Sequence, residues 1–461
     1  MKRNMIYNFL NKLFNMVSPF IISVYLARIL YIDDIGRISY GKNLITYFMV
    51  LAMMGIQDYG IREVAKRKND SKEVSNVFVE LFIINAISTT FALVLYFVFM
   101  SFFSRVAIAG FVWIIVANYF NCDYLFLGQE NFKLISIRNV LHKILFTAFV
   151  FAFVKTPGDA EIYIYGFAIS QLLLYLTDVV FAIKTVRITK LNIDCFEHIK
   201  SILFLFGTAV SLELYSQVDI TMIGWWCNNK DVAVYSYSSK LVKMVVVMIC
   251  SLTSVLLPRL SYLADKEDTS GIVKKMVEIA LVLAVPSGVG AFAISYDVMD
   301  FLYGKSFISG GGIVRFMSPL IVICTLGNIF GTQVLISFNK EKKLLLATVV
   351  GALTNTVLNT IFIKWYGIFG AAIASVISEF VVMSMQIHYA KAGITVKIDG
   401  GFALKLGISS FLLSASLVAV SCFHIHGLGL RLFSNVCIGA VVYLSSITLF
   451  GLWKRKSSDL Y

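Results

Sequence analysis

Ionisable side chains sit in the middle of stretches that are otherwise almost wholly apolar. Glu213 is the thirteenth residue of a 26-residue segment, 201–226, and Lys243 is the twelfth of the next, 232–257. Glu379 stands near the middle of a third, 366–390, and Asp219 and Lys240 lie in the half of their segments nearer the short connection at 227–231. A charge near a bilayer centre costs at least ~2.5–3.5 kcal/mol, so such a group faces a partner or a water-filled cavity. Two chemistries fit. Glu213 and Lys243 either neutralise each other, or line a polar cavity in which the carboxylate takes up and releases a proton during a transport cycle. Lys240 and Lys243, three residues apart, share one helical face. In the first segment Asn8, Lys12, Asn15 and Pro19 recur at spacings of four, three and four, one polar stripe with a proline expected to bend it. Lys12, Arg28, Lys42 and Arg315 lie nearer segment ends, where they line the same cavity or snorkel to headgroups.

The elements that must hold these groups follow from composition. The 461-residue chain is 58% hydrophobic and 15% charged, whereas soluble domains carry roughly 45–50% apolar and about 25% charged residues. Crossing a hydrocarbon core about 30 Å thick takes roughly 20 apolar residues. Fourteen such spans are expected, at 8–30, 38–57, 77–101, 106–128, 140–155, 161–183, 201–226, 232–257, 276–297, 313–338, 344–363, 366–390, 402–424 and 429–452. They must be helices, because lipid satisfies no open backbone group and the runs are too long for barrel strands. The expectation is an all-α polytopic membrane protein. A soluble enzyme and any large extramembranous domain are excluded, and no cleavable signal peptide is expected.

Other patterns carry no chemistry. The seven cysteines form no C-x-x-C pair, and His424-x-His426 has no acid or thiol beside it, so no metal is expected. His142, His198 and His388 are scattered near segment ends. Gly304-Lys305-Ser306 lacks the earlier glycine of a phosphate loop. Gly310-Gly311-Gly312 reads as a flexible outer turn. No catalytic residue and no cofactor are expected.

Orientation comes from loop charge. With the amino terminus in the cytoplasm, the inner segments hold 25 lysines and arginines and the outer loops hold six, Arg37, Arg105, Lys155, Lys230, Lys305 and Lys364. Both termini are therefore expected in the cytoplasm. The same asymmetry accounts for most of the net charge of +13 without a nucleic-acid partner. The longest connections, 58–76 and 184–200, fall on the inner side.

A shift of 197 residues lays Asp34-Ile35-Gly36 on Asp231-Val232-Ala233, Ser39-Tyr40 on Ser236-Tyr237, Leu44 on Leu241 and Arg62 on Arg259. Internal repeats are common in transporters. The expected organisation is a six-helix bundle over 1–200, a second over 201–391, and two further helices with a basic tail over 392–461.

The run from Ser18 to Asp70 carries a family likeness. Pro19-Phe20, Tyr25-Leu26-Ala27-Arg28, Asp34-Ile35-Gly36, Tyr40-Gly41 and Gly55-Ile56-Gln57-Asp58-Tyr59-Gly60-Ile61-Arg62-Glu63 resemble the Wzx-type polysaccharide repeat-unit flippases, relatives of lipid II flippases and MATE antiporters. Phe126-Leu127-Gly128-Gln129-Glu130, Leu257-Pro258-Arg259-Leu260, Tyr303-Gly304-Lys305-Ser306-Phe307 and Asn328-Ile329-Phe330-Gly331 continue the likeness, which runs from about 8 to 390. Spans 13 and 14 add nothing specific to it. The resemblance implies movement of undecaprenyl-pyrophosphate-linked oligosaccharide across the bacterial cytoplasmic membrane for O-antigen or another surface polysaccharide. It also implies alternating access coupled to a proton or sodium gradient, and polysaccharide polymerase machinery as a partner. A cationic cavity would take the substrate, with Lys12, Arg28, Lys42, Lys240, Lys243 and Arg315 as its cations. Glu213, Asp219 and Glu379 are the candidates for ion coupling, and Asp58, Arg62 and Arg259 for an inner gate. A MATE-like drug or cation antiporter is the nearest alternative, but it would favour carboxylates over this excess of cations. A membrane polymerase or ligase would need a long outer loop, which is missing.

Overall fold

In the computed structural model, residues 2–102, 109–186, 194–263, 269–391, 399–422 and 427–451 are described; side chains before Phe14, and those of Asn15, Met16, Phe102, Ser421 and Cys422, lie outside that set. Long apolar runs with few glycines or prolines propagate as helix, and every apolar run becomes one. In chain order they are α1 (Lys2–Ile29), α2 (Ile32–Met53), α3 (Ile56–Arg67), α4 (Ser71–Phe102), α5 (Val112–Asn118), α6 (Asp123–Gly128), α7 (Phe132–Phe153), α8 (Ala160–Thr185) and α9 (Phe196–Trp226). They continue as α10 (Asn229–Thr253), α11 (Leu257–Leu263), α12 (Ser270–Ala293), α13 (Ser295–Tyr303), α14 (Gly310–Met317), α15 (Leu320–Asn328), α16 (Glu341–Tyr366), α17 (Ile368–Lys391), α18 (Gly400–Cys422) and α19 (Leu428–Leu449). Among the described residues there is no strand.

Among them too, twelve helices are long and apolar enough to cross a membrane, or thirteen with the bent pair Gly310–Met317 and Leu320–Leu335 taken as one span. Each of the fourteen expected segments falls on helix. Among the described residues α1 contributes the apolar helix Val17–Ile29. Pro19 lies inside this continuous helix, and the side chains of Asn8, Lys12 and Asn15 lie outside the described residues.

Two local devices differ from the expectation. The segment 58–76 is not a connection but mostly helix. Met54 and Gly55 adopt left-handed backbone (φ 47° and 78°), which ends α2 and re-aims the chain into α3. Ile56, Tyr59, Gly60 and Val64 are buried at helical spacing on α3. Asp70 then starts α4, its Oδ1 accepting from the backbone N–H of Lys72 (2.8 Å) and Glu73 (3.2 Å). The second difference is Gly310-Gly311-Gly312, which form the first turn of α14 and are buried. A Cβ on Gly310 would lie 2.5 Å from Ser238 Oγ, and one on Gly311 2.5 Å from Tyr296. These glycines let neighbours approach; they do not loosen a turn.

The starts of α2, α4 and α5 (Ile32, Ser71, Val112) recur just under 200 residues later in those of α10, α12 and α14 (Asn229, Ser270, Gly310). Those of α7 and α8 (Phe132, Ala160) recur at α16 and α17 (Glu341, Ile368). Packing divides the chain into two units, Met1–Gly224 with Asn228–Ala233, and Trp225–Cys227 with Val234–Tyr461. The boundary drawn by packing thus falls after Gly224, not at 200, because α9 is hydrogen-bonded to α2 through Asn43, Gln217 and Thr221. In the first unit α1 packs on α7, α5 on α8 and α7 on α8. In the second α16 packs on α17, α14 on α17, and α18 on both α19 and α12.

Gly367 (φ 56°) ends α16, and Gly370 opens α17 against its partner's backbone. A Cβ at Gly370 would stand 2.1 Å from the Phe362 carbonyl oxygen, and backbone cannot move aside cheaply. Gly370→Ala should therefore cost about 1–3 kcal/mol as the hairpin is pushed apart. Gly407→Ala on α18, with nothing within 4 Å of its Cβ, should cost nothing. Thermal midpoints of the purified variants check both; an unchanged Gly370→Ala midpoint would refute the close-approach account.

Candidate functional site

In the first unit a directed chain of hydrogen bonds joins α2 to α9. Asn43 and Tyr47 are four residues apart on α2, and Glu213, Gln217 and Thr221 recur every four on α9, so each set forms a stripe on one face. Tyr47 and Thr221 hydroxyls are 2.9 Å apart. Thr221 donates to Asn43 Oδ1 (2.7 Å), and Asn43 Nδ2 donates to Gln217 Oε1 (2.8 Å) and its backbone carbonyl (3.0 Å). Gln217 Nε2 donates to Glu213 Oε1 (2.8 Å), with Ser216 Oγ 3.4 Å from the same oxygen. With Tyr47 donating to Thr221, every donor points toward Glu213. The chain thus ends on the Glu213 carboxylate, which accepts from both Gln217 and Ser216. Asp219, on the same helix, is half-buried.

Lys42 is beside Asn43 but turns to α8. Its Nζ donates to Tyr163 Oη (2.6 Å) and lies 4.0 Å from the Phe167 ring centroid and 4.6 Å from that of Tyr163. Aromatic faces attract the ammonium and replace part of its lost hydration. Arg28, in the last turn of α1, is exposed; the side chain of Lys12 lies outside the described residues.

Two of the candidate gate residues, Asp58 and Arg62, lie on α3, which packs on α4 and reaches α9 through Tyr59. Arg62 and Asp58 are exposed on α3. Arg62 Nε is 3.5 Å from Glu63 and its guanidinium lies 5.4 Å from the Tyr59 ring centroid. Glu63 is buried and also holds Lys66 (2.9 Å) and Arg67. Tyr59 Oη is 2.7 Å from His198 Nδ1, and His198 Nε2 is 2.8 Å from Glu80, whose other oxygen accepts from the Asp194 backbone N–H (2.8 Å). His198 is thus a buried junction and not a stray residue at a segment end. Arg259 is exposed on α11.

A second buried ion cluster lies in the same unit. Arg138 on α7 pairs with Asp178 on α8, and with Asp123 on α6 at 2.6 Å. Glu63, Glu80, Arg138 and Asp178 were not among the candidate site residues read from the sequence. Asp178 had a signal, a carboxylate inside the apolar run 161–183. Its partner stands forty residues away, and no spacing rule joins them.

In the second unit Lys240 is half-buried and Lys243 exposed on α10. The Cys324 thiol on α15 lies beside Glu379 on α17, with Lys243 and Cys250 within electrostatic reach. Two of the midplane charges, Lys243 and Glu379, are thus both within electrostatic reach of one thiol. Beyond α15 the helix widens into a π turn over Ile329–Leu335. There Gln333 Nε2 donates to Asn328 Oδ1 (2.8 Å) and Thr253 Oγ1 (3.0 Å), holding a feature that recurs at functional sites. Arg315 stands apart, on α14, where its Nε donates to Phe292 O (3.2 Å) and Ser295 Oγ (3.1 Å).

Comparison with known proteins places this arrangement. Residues 1–264 match the family described as "Polysaccharide biosynthesis protein". A "Probable low-salt glycan biosynthesis flippase" of Haloferax volcanii is 21% identical over 318 residues, 68% of this chain and 66% of that one, just under two thirds of its length. A "Putative O-antigen transporter" of Escherichia coli is 21% identical over 408 residues, covering 85% of this chain and 97% of that one. Among solved structures, the lipid II flippase MurJ in an inward closed conformation superposes with a TM-score of 0.77 at 16% identity, covering 98% of this chain and 99% of that one. An inward-facing multidrug resistance MATE transporter gives 0.64 at 14% identity over 83% and 94%. The helical architecture is that of MurJ and MATE transporters, and the matched relatives are named as flippases and transporters, not enzymes. With more than half of its length matched by the family, this multi-pass membrane chain belongs to the polysaccharide biosynthesis protein family.

Proposed function

We propose that the chain is a flippase that moves lipid-linked oligosaccharide, carried on undecaprenyl pyrophosphate, from the cytoplasmic to the outer leaflet of the cytoplasmic membrane. The observation that carries this reading is charge held inside apolar spans in a polysaccharide-biosynthesis chain, namely Lys42 and Glu213 in one unit and Lys243 and Glu379 in the other. An unpaired hydroxyl costs roughly 4–8 kcal/mol to move from water to hydrocarbon, so an oligosaccharide crosses only along a polar path. Lys12, Arg28, Lys42, Lys240 and Lys243 would meet the diphosphate and sugars, and the polyprenyl tail would stay in lipid. Glu213, Asp219 and Glu379 are the coupling candidates for a proton or sodium gradient that drives alternating access. Both termini would then face the cytoplasm, and a polysaccharide polymerase would consume the product.

The test is leaflet accessibility of the lipid-linked repeat unit in cells with and without the gene, read with a lectin that cannot cross the membrane. Loss of outer signal with intermediate trapped inside supports flipping. Normal outer signal without polymer would place the defect after flipping and refute it.

Asp58, Arg62 and Arg259 are proposed to close the inner gate, since the repeat sets the two arginines at equivalent positions on α3 and α11. Arg62→Ala and Arg259→Ala should each lower export about tenfold, equivalent to about 1.4 kcal/mol. Wild-type export in both variants would remove the gate assignment. A MATE-like antiporter remains the second reading, favoured by the superposition at a TM-score of 0.64. It predicts drug sensitivity on deletion with polysaccharide intact.

A further inference from the structure

A cavity of about 810 Å³ opens in the second unit between α12–α15 and the C-terminal pair α18–α19. It lies at the end of the unit where α12 finishes and α19 begins. Under the orientation proposed above, that end belongs to the outer leaflet. Its volume falls in the range of sites that hold small molecules or lipid headgroups.

Two guanidinium groups point the chemistry. Arg315 uses its Nε on Phe292 O and Ser295 Oγ, and stacks 4.6 Å from the Tyr296 ring centroid. Its Nη groups are left as donors. Arg431, on α19, pairs through Nη2 with Asp297 of α13. Its Nε is buried with no partner, as is Asn435 Oδ1 one turn further along α19. Arg315, Arg431 and Asp297 together leave one uncompensated positive charge. Much of the remaining wall is aliphatic, Val285, Val289, Leu417 and Val418 among it. A small polar metabolite would leave that wall bare, and a neutral lipid would leave the guanidinium donors unpaired.

We propose that this cavity binds the phosphodiester headgroup of an anionic phospholipid, with its acyl chains along the aliphatic wall. Guanidinium–phosphate bonds are charge-assisted and geometrically matched. The net charge of the cavity selects the partner. One positive charge balances one phosphodiester, whereas a polyprenyl diphosphate would bring a second negative charge against Asp297. Arg315 would thus hold a lipid at the protein's margin and not the substrate in transit. This site does not require the flippase reading, since a lipid site of this kind would serve any transporter of this fold.

The test uses the purified full-length chain in mixed micelles of phosphatidylglycerol, phosphatidylethanolamine and a polyprenyl diphosphate in equal amounts, with retained lipid identified by native mass spectrometry. Phosphatidylglycerol should be retained roughly tenfold over phosphatidylethanolamine, whose ammonium cancels its phosphodiester charge and would stand against the cavity's uncompensated guanidinium. Arg315→Gln should abolish that preference. Ser414→Phe, which fills the cavity without touching either arginine's bonds, should do the same and serves if the arginine variant does not fold. Equal retention of the two phospholipids, or a preference that survives in both variants, would overturn the proposal. Preferential retention of the polyprenyl diphosphate at this cavity, lost in both variants, would overturn it too and assign the site to the carrier lipid. Because no transport is measured, failure here is distinct from failure of the flippase reading.

Discussion

Replacing Arg138 by Ala should cost the protein about 3–5 kcal/mol, among the largest effects of any single substitution in the first unit. The reason is Asp178. Its side chain is 0% exposed, and Arg138 is its ion partner. Removing the guanidinium strands a carboxylate where neither water nor another cation reaches it. Arg138 also ties α6 through Asp123 and holds Asn139 Oδ1 at 2.8 Å. Loss of this one side chain therefore loosens three helices, among them α8, which carries Tyr163 and Phe167 around Lys42. Asp123→Asn should cost much less, because Asp123 is 20% exposed and can be hydrated. The informative control is the double variant Arg138→Met with Asp178→Leu, which removes both charges and fills the space. It should recover most of the loss, since a buried ion pair is seldom more stabilising than a packed apolar pair. Thermal midpoints by size-exclusion after heating would check the series. Single variants within about 1 kcal/mol of the parent would show that the pair is hydrated and the account mistaken.

That cluster also shows where sequence stops being readable. The spans were readable because hydrocarbon imposes a length and an apolarity on each one, which local composition records. The break at Met54 and Gly55 was not, since a span that turns into an amphipathic helix looks like a span followed by a polar loop. The three glycines at 310–312 read as a turn by type, yet their surroundings, Ser238 and Tyr296, come from elements far away in the chain. For the same reason depth picked out Glu213, Lys243 and Glu379, but nothing local joined Arg138 to Asp178 or His198 to Glu80. Long-range polar pairing is a property of packing. The stripe Glu213–Gln217–Thr221 is the intermediate case. Its four-residue spacing was present in the sequence, though without Asn43 opposite it had no visible purpose. The domain boundary follows the same rule, because the hydrogen bonds of that stripe carry α9 over to the first unit.

Glu213→Gln should lower export about tenfold and flatten its dependence on pH. The substitution is a clean one in this setting. Glutamine keeps an oxygen that accepts from Gln217 Nε2, so the chain from Tyr47 through Thr221, Asn43 and Gln217 stays intact. What it removes is the negative charge and the capacity to bind a proton. If Glu213 serves only to end a structural chain, the variant should fold and export like the parent, because a neutral acceptor satisfies Gln217 equally well. If Glu213 couples transport to an ion, export should fall while the melting midpoint holds. The pH profile then divides the ions. A proton-coupled site loses its pH dependence, since no group is left there to titrate. A sodium-coupled site loses its sodium dependence and keeps the pH profile of the remaining groups. Gln217→Met gives the reverse experiment, breaking the donors' alignment while leaving the carboxylate. It should reduce stability by about 1 kcal/mol, since Asn43 loses the Gln217 side chain but keeps its backbone carbonyl, and leave the ion dependence in place. Wild-type export from Glu213→Gln at every pH and sodium concentration would reduce the α2–α9 chain to a structural seam, and the search for the coupling carboxylate would pass to Glu379 beside Cys324.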